Sequence, residues 1–180
     1  MAVHRATIRS ERPDDHEAIR IVVAAAFGTP AEAALVDEIR RSPEYVAEWA
    51  LVAELDGRIV GHTMVSYARL VVDDTDTRSI AMLSPLAVAP DVQRGGIGSA
   101  LVRSVCALAD AAGEPCVILE GSPVYYSRFG FEHARPLGIE IPLPPWAPSE
   151  AGQVLRLGSF GESIVGRVVY PKAFDSATDH

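Results

Sequence analysis

From Gln93 to Gly98 the chain reads QRGGIG, three glycines placed just where an apolar run of helical spacing begins. Each glycine lowers helix stability by roughly 1 kcal/mol relative to alanine, so their position calls for another reason. The first backbone N–H groups of a helix have no intrahelical partner. Glycine lets a bulky anion approach them and permits the dihedrals that aim successive N–H groups at one centre. A tight strand-to-helix connection, with glycine serving only close packing, is the other reading, and the letters alone leave both open. Two nucleotide-binding loops do not fit. A P-loop requires GxxxxGK[ST], and no lysine follows these glycines, with Ser99 unable to supply the missing charge. A dinucleotide fingerprint GxGxxG starting at Gly96 and Gly98 would need glycine where Leu101 stands.

Composition narrows the setting of this loop. The chain has 180 residues, 48% apolar and 22% charged, enough to bury a real core, and one domain over 1–180 is expected. A net charge of −8 without any Lys/Arg run argues against a nucleic-acid surface, which needs a clustered basic face. No stretch reaches the roughly 18 apolar residues of a membrane span, and the N-terminus has no signal-peptide core. A cytoplasmic protein without a membrane partner is expected, as a monomer or a homodimer. Cys106 and Cys116 make no disulfide framework and share no metal-ligand spacing with the five histidines. Both read as small buried apolar residues, and no metal is expected.

The elements that must hold the loop follow from hydrophobic period and turn signals. Arg5 to Ser10 reads as a first strand, and PDDHEAIRIVVAAAFG as a helix with Ile19, Val22, Val23, Ala26 and Phe27 on one face. Thr29, Pro30 and Glu32 have the spacing of a capping box with proline at the first helical position, predicting a second helix to about Arg41. Asp56-Gly57 between ALVAEL and RIVGHTMVSYARL predicts a tight hairpin. A turn at DDTD leads to a third strand of this meander, RSIAMLSPLAVAP, in which Pro85 predicts a bulge or a break. After the glycines, Ile97, Leu101, Val105, Leu108 and Ala112 recur as one face of a helix that Gly113 ends, and PCVILEG follows as a buried strand. That order is a βαβ unit on an antiparallel meander, hence an α/β (α+β) fold with a mixed, mostly antiparallel sheet. Residues 132–150 are rich in proline, SIVGRVVYPKAF offers a last strand, and the polar end is expected to fray.

The pattern QxxGxG, met by Gln93, Gly96 and Gly98 within LAVAPDVQRGGIGSALV, resembles the GCN5-related N-acetyltransferase (GNAT) superfamily. Downstream, YYSRFGF (Tyr125 to Phe131) resembles that family's second signature. The likeness covers residues 5–131, and the whole chain, with GRVVYPKAF near its end, is most similar to the YhbS-type bacterial branch. It implies that the loop, through Gln93, Arg94, Gly95, Gly96, Ile97, Gly98 and Ser99, holds the pyrophosphate of acetyl-CoA, the cosubstrate. It also implies a fourth strand splayed from the fifth, where the main chain of Leu86 and Val88, with Ala87 between them, binds the pantetheine arm and the thioester. Tyr126 takes the place of the family's general acid, whereas Tyr125, Phe129 and Phe131 are assigned to packing.

On the acceptor side the sequence departs from the family, because IAMLSPL has no carboxylate where many relatives carry a glutamate base. Glu120, at the end of the fifth strand, and His62, on the third, are the substitutes, with His133 a weaker one; water alone can also take the proton. The expected reaction moves an acetyl group to an amine of a small molecule. A protein terminus or lysine, or a non-catalytic acyl-CoA-binding module, are the alternatives. Acceptor specificity is expected in the first two helices, the DDTD turn and the proline-rich segment around Trp146.

Overall fold

Along the computed structural model, which describes residues 6–177, strand β1 (Thr7–Ser10) leads through one 3-10 turn into helices α1 (His16–Phe27) and α2 (Ala31–Arg41). The meander follows as β2 (Tyr45–Leu55), β3 (Arg58–Val71) and β4 (Thr77–Val88). The crossover is α3 (Ile97–Ala111), then β5 (Cys116–Glu120) and the single-turn helix α4 (Pro123–Tyr126). Short strands β6 (Glu132–His133), β7 (Ile139–Glu140), β8 (Gly152–Arg156) and β9 (Gly166–Val169) complete the sheet. Arg5, given to the first strand, and the last polar residues lie outside the described residues.

Local chemistry accounts for most boundaries. Asp56 and Gly57 both take positive φ, 51° and 77°, the pair of dihedrals that a twisted two-residue hairpin requires, and Leu55 faces Arg58 across the turn. Helix α1 buries Ile19, Val22 and Val23, whereas Phe27, expected on the same core face, is 44% exposed. The capping box expected at α2 does not form. Pro30 occupies the cap position in helical conformation, and Thr29 Oγ1 accepts a bond from the Ala31 amide at 3.3 Å. Glu32 therefore does not reach back and is directed elsewhere. In α3 the buried face is Gly98, Leu101, Val102, Val105, Cys106 and Ala109. Leu108, expected inward, is 39% exposed, so the stripe turns toward Cys106 and Ala109 as the helix proceeds.

The sheet runs β1-β2-β3-β4-β5-β8-β6, with β9 on β3 and β7 on β9. Its core strands are antiparallel, and β4–β5 is parallel as the crossover demands. Three strands carried no expectation: β6, β7 and β8 arise from the segment read as proline-rich loop and its flank. Strand β8 fills the edge of β5 from Cys116 to Glu120. Strand β9 adds to β3 at Arg69 to Val71, just past the Tyr45–Ser66 pairing where β2 leaves off.

Candidate active site

Pairing between β4 and β5 is confined to Ala81–Val117 and Met82–Ile118. Beyond Met82 the two strands part, and the cause lies in β4. Thr63 faces Leu86 while Val65 faces Leu83, so Ser84 and Pro85 together stand against Met64, a bulge that bends the strand. The Thr63 hydroxyl donates to the Pro85 carbonyl at 2.8 Å and fixes it. Past the bulge, the Ala89 amide donates to the Val60 carbonyl at 2.8 Å. Alternation along an antiparallel strand then points the main chain of Ala87 at β3 and that of Leu86 and Val88 into the gap. The Val88 carbonyl accepts the Gln93 side-chain amide at 3.0 Å, which ties the glycine loop to the strand end.

The loop rises over that gap through two left-handed residues, Arg94 at φ 63° and Gly96 at φ 85°. The first intrahelical bond of α3 runs from the Ala100 amide to the Gly96 carbonyl at 3.0 Å. The amides of Ile97, Gly98 and Ser99 therefore have no carbonyl one turn back, and they carry the positive end of the helix dipole. Glycine is also needed for packing here. A Cβ on Gly61 would lie 3.0 Å from Leu101 Cδ1 and 3.2 Å from Ile97 Cγ2, and one on Gly98 would lie 2.6 Å from the Tyr125 hydroxyl. Close contact thus seats the helix, as the packing reading of the cluster expects, and leaves the first amides of α3 without intrahelical partners.

Helix α4 starts with proline in its first turn, capped by Ser122, whose hydroxyl accepts from the Tyr125 amide at 3.4 Å. It delivers Tyr126 to the gap. The ring lies on the backbone of Gly121, where an added Cβ would come within 2.6 Å of Tyr126 Cε2. Edge contacts to Phe131 and Tyr125, with centroids at 5.7 Å and 4.9 Å, fix its orientation. Burial raises the Tyr126 phenol above its ordinary value, with Tyr125 and Cys106 adding to the effect, so it holds its proton at neutral pH.

The gap opens into a cavity of about 910 Å³ between residues 82–86 of β4, the Glu120–Gly121 end of β5, Tyr126 and the 142–146 loop. Glu120 faces it with a carboxyl raised above the usual range by burial, although the Tyr170 hydroxyl, donating to Oε2 at 3.4 Å, pulls the other way. Glu32 and Phe27 reach it from the helical side, and Trp146 from the proline-rich loop. Expectation and structure separate at several points. Tyr126, Glu120 and Leu86 meet at one cavity, but His62 is fully buried elsewhere, with Nδ1 3.7 Å from Glu11 Oε2 and its pKa pushed down to about 4 by burial. His133 and the 73–76 turn do not line the cavity either. Tyr125, read as packing alone, also brings its hydroxyl to the start of α3. Among the described residues, no group of three or more His, Cys, Asp or Glu is placed to hold a metal ion. No helix there is long and apolar enough to cross a membrane.

Comparison with known proteins agrees with this geometry. The family model of the acetyltransferase (GNAT) domain matches residues 7–134. The uncharacterized N-acetyltransferase YjhQ of Escherichia coli is 32% identical over 145 residues, covering 80% of each chain. Among solved structures, the GNAT family N-acetyltransferase YhbS from Escherichia coli in complex with CoA superposes with a TM-score of 0.84 at 29% identity, covering 97% of this chain and 94% of that one. A GNAT family acetyltransferase from Brucella melitensis in complex with acetyl-CoA gives 0.76 at 32% identity, covering 96% and 99%. With its splayed β4–β5 pair, its glycine loop opening α3 and matches of this extent, the chain belongs to the GNAT acetyltransferase family.

Proposed function

We propose that the protein transfers the acetyl group of acetyl-CoA to an amine of a small molecule, by direct attack on the thioester in the β4–β5 gap. The observation that carries this reading is the gap itself, into which the main chain of Leu86 and Val88 turns and which Tyr126 borders; the unpaired amides at the start of α3 are tied to its β4 side through Gln93 and Val88. Support for the cosubstrate comes from the two solved relatives that hold CoA and acetyl-CoA.

In this reading Gly95, Gly96, Ile97, Gly98 and Ser99 offer main-chain donors to the pyrophosphate, Arg94 adds a positive charge and Gln93 holds the loop in place. Leu86 and Val88 align the pantetheine arm as an added strand would, and the Leu86 amide polarises the thioester carbonyl. Glu120 takes a proton from the arriving ammonium, directly or through water. The neutral nitrogen bonds to the carbonyl carbon, the carbon–sulfur bond breaks, and the attached nitrogen releases its extra proton to water to leave the amide. Tyr126 gives its proton to the departing sulfur and recovers one from solvent. No histidine is needed.

Two measurements test the reading. Isothermal titration with coenzyme A is expected to show binding to the wild type and its loss in Gly96→Glu, which sets bulk and negative charge at the pyrophosphate position. Release of free thiol from acetyl-CoA is expected with primary amines in an acceptor panel. Unchanged coenzyme A affinity in the variant, or turnover with hydroxyl or thiol acceptors alone, contradicts it.

A further inference from the structure

The acceptor side of the cavity holds a carboxylate that neither the fold nor the transfer chemistry uses. Glu32 lines the cavity, and its Oε2 is buried with no hydrogen-bond partner. Its spacing from Thr29 would let it cap α2, yet that bond is absent and Glu32 borders the cavity instead. A local rule broken at a cavity wall without compensation inside the protein is the pattern of a group kept for a ligand. An unpartnered buried carboxylate oxygen costs free energy that a bound donor would offset.

The rest of the lining says what kind of donor. The cavity has two carboxylates, Glu32 and Glu120, and neither lysine nor arginine. Between and around them the walls are apolar: Phe27, Leu35, Pro145 and Trp146. Phe27 and Trp146 are 44% and 82% exposed, large aromatic faces left uncovered at the rim, where a flat or extended apolar body gains contact area.

We infer that the acceptor is a diamine with an apolar spacer. One primary amine reaches Glu120 and Tyr126 and is acetylated; the second, still charged, is held by Glu32; the spacer lies against the Phe27 and Trp146 faces. This rests on the acetyl-transfer reading and adds to it a binding role for Glu32.

The test compares isosteric pairs with and without the second nitrogen: para-bis(aminomethyl)benzene against para-methylbenzylamine, and diaminoalkanes against alkylamines of equal length. Expected is a preference for the diamine in kcat/KM of about tenfold to a hundredfold, the range of one charge-assisted hydrogen bond. Glu32→Gln should reduce that preference at least about tenfold, mainly through KM. Glu120→Gln should instead lower kcat for both members of a pair. Coenzyme A titration and thermal unfolding of Glu32→Gln verify that the variant is folded and loaded. Equal rates for diamine and monoamine, or a preference unmoved by Glu32→Gln, overturn the inference while leaving acetyl transfer intact. Absence of thiol release with every amine overturns both.

Discussion

Glu11 and Glu120 are both glutamates at the end of a sheet segment, each with a tyrosine hydroxyl within reach, and their surroundings are opposite. Glu11 is closed in. Arg40 Nε and Nη2 donate to its two oxygens at 2.7 Å and 3.0 Å, and Tyr45 adds a bond at 2.9 Å. His62 sits behind it at 3.7 Å. That carboxyl is held below the usual range, with burial opposing and the Arg40 bond leading the stabilising causes. Glu120 faces an open cavity that no cationic side chain lines, and its carboxyl is raised. The difference separates a charge used to join α2 to the sheet from one left available to a ligand. It also parts the two candidate bases of the sequence, because Glu120 lines the cavity and His62 is buried away from it.

The largest expected effect breaks the open side. If Tyr126 gives the proton to sulfur, Tyr126→Phe should slow acetyl transfer by about 10² to 10⁴, roughly 3 to 5 kcal/mol of barrier, in single-turnover assays at unchanged coenzyme A affinity.

Breaking the closed side should cost stability instead of rate. Arg40 and Glu11 side chains are 8% and 3% exposed, and removing one partner of a buried pair costs about 3–5 kcal/mol. Arg40→Met is expected to lower the unfolding free energy from urea titration by that amount, with turnover per folded molecule preserved.

Acid sharpens the contrast. His62 has a folded pKa of about 4 against about 6.5 when unfolded. Between those values the unfolded chain binds a proton that the folded one does not. Stability is therefore full above about pH 6.5 and falls as pH drops toward 4. Glu11, depressed in the folded state, adds a further loss below that. Urea unfolding at about pH 7 and about pH 5 should show this slope, and His62→Gln should flatten it. On the open side, kcat/KM should rise with pH through a carboxylate pKa above the ordinary value, and Glu120→Gln should remove that limb.

The smallest effect concerns the seat of the glycine loop. Gly98→Ala sets a Cβ 2.6 Å from the Tyr125 hydroxyl, an overpacking of about 1–3 kcal/mol that is expected in coenzyme A affinity. Adding Tyr125→Phe removes the obstructing oxygen and should restore most of it, whereas Tyr125→Phe alone should be mild. A double variant no better than Gly98→Ala would sever this link between α4 and the loop.

How much of this was legible in the sequence follows the same division. The glycine loop, the Pro85 break, the Asp56-Gly57 turn and the position of Tyr126 are set by local chemistry or by a motif, and the structure has each of these features. His62 was misplaced because what decides it is Glu11, fifty-odd residues away, and strand alternation does not name a partner. Phe27 read as core because its helical spacing from Val23 is right, but it stands in the last turn of α1 and borders the cavity. Glu32 read as a cap because its spacing from Thr29 is right, and only the cavity shows where it turns. Strand β8 was missed because Gly152–Arg156 is too short for a clear period and is stabilised by pairing with β5.

The most direct test is a structure of the protein with acetyl-CoA bound, read at three contacts. Expected are the pyrophosphate against the amides at the start of α3, the thioester carbonyl at the Leu86 amide and the sulfur within hydrogen-bond reach of the Tyr126 hydroxyl. A sulfur lying away from Tyr126, or a pantetheine arm that does not enter the β4–β5 gap, would contradict that expectation.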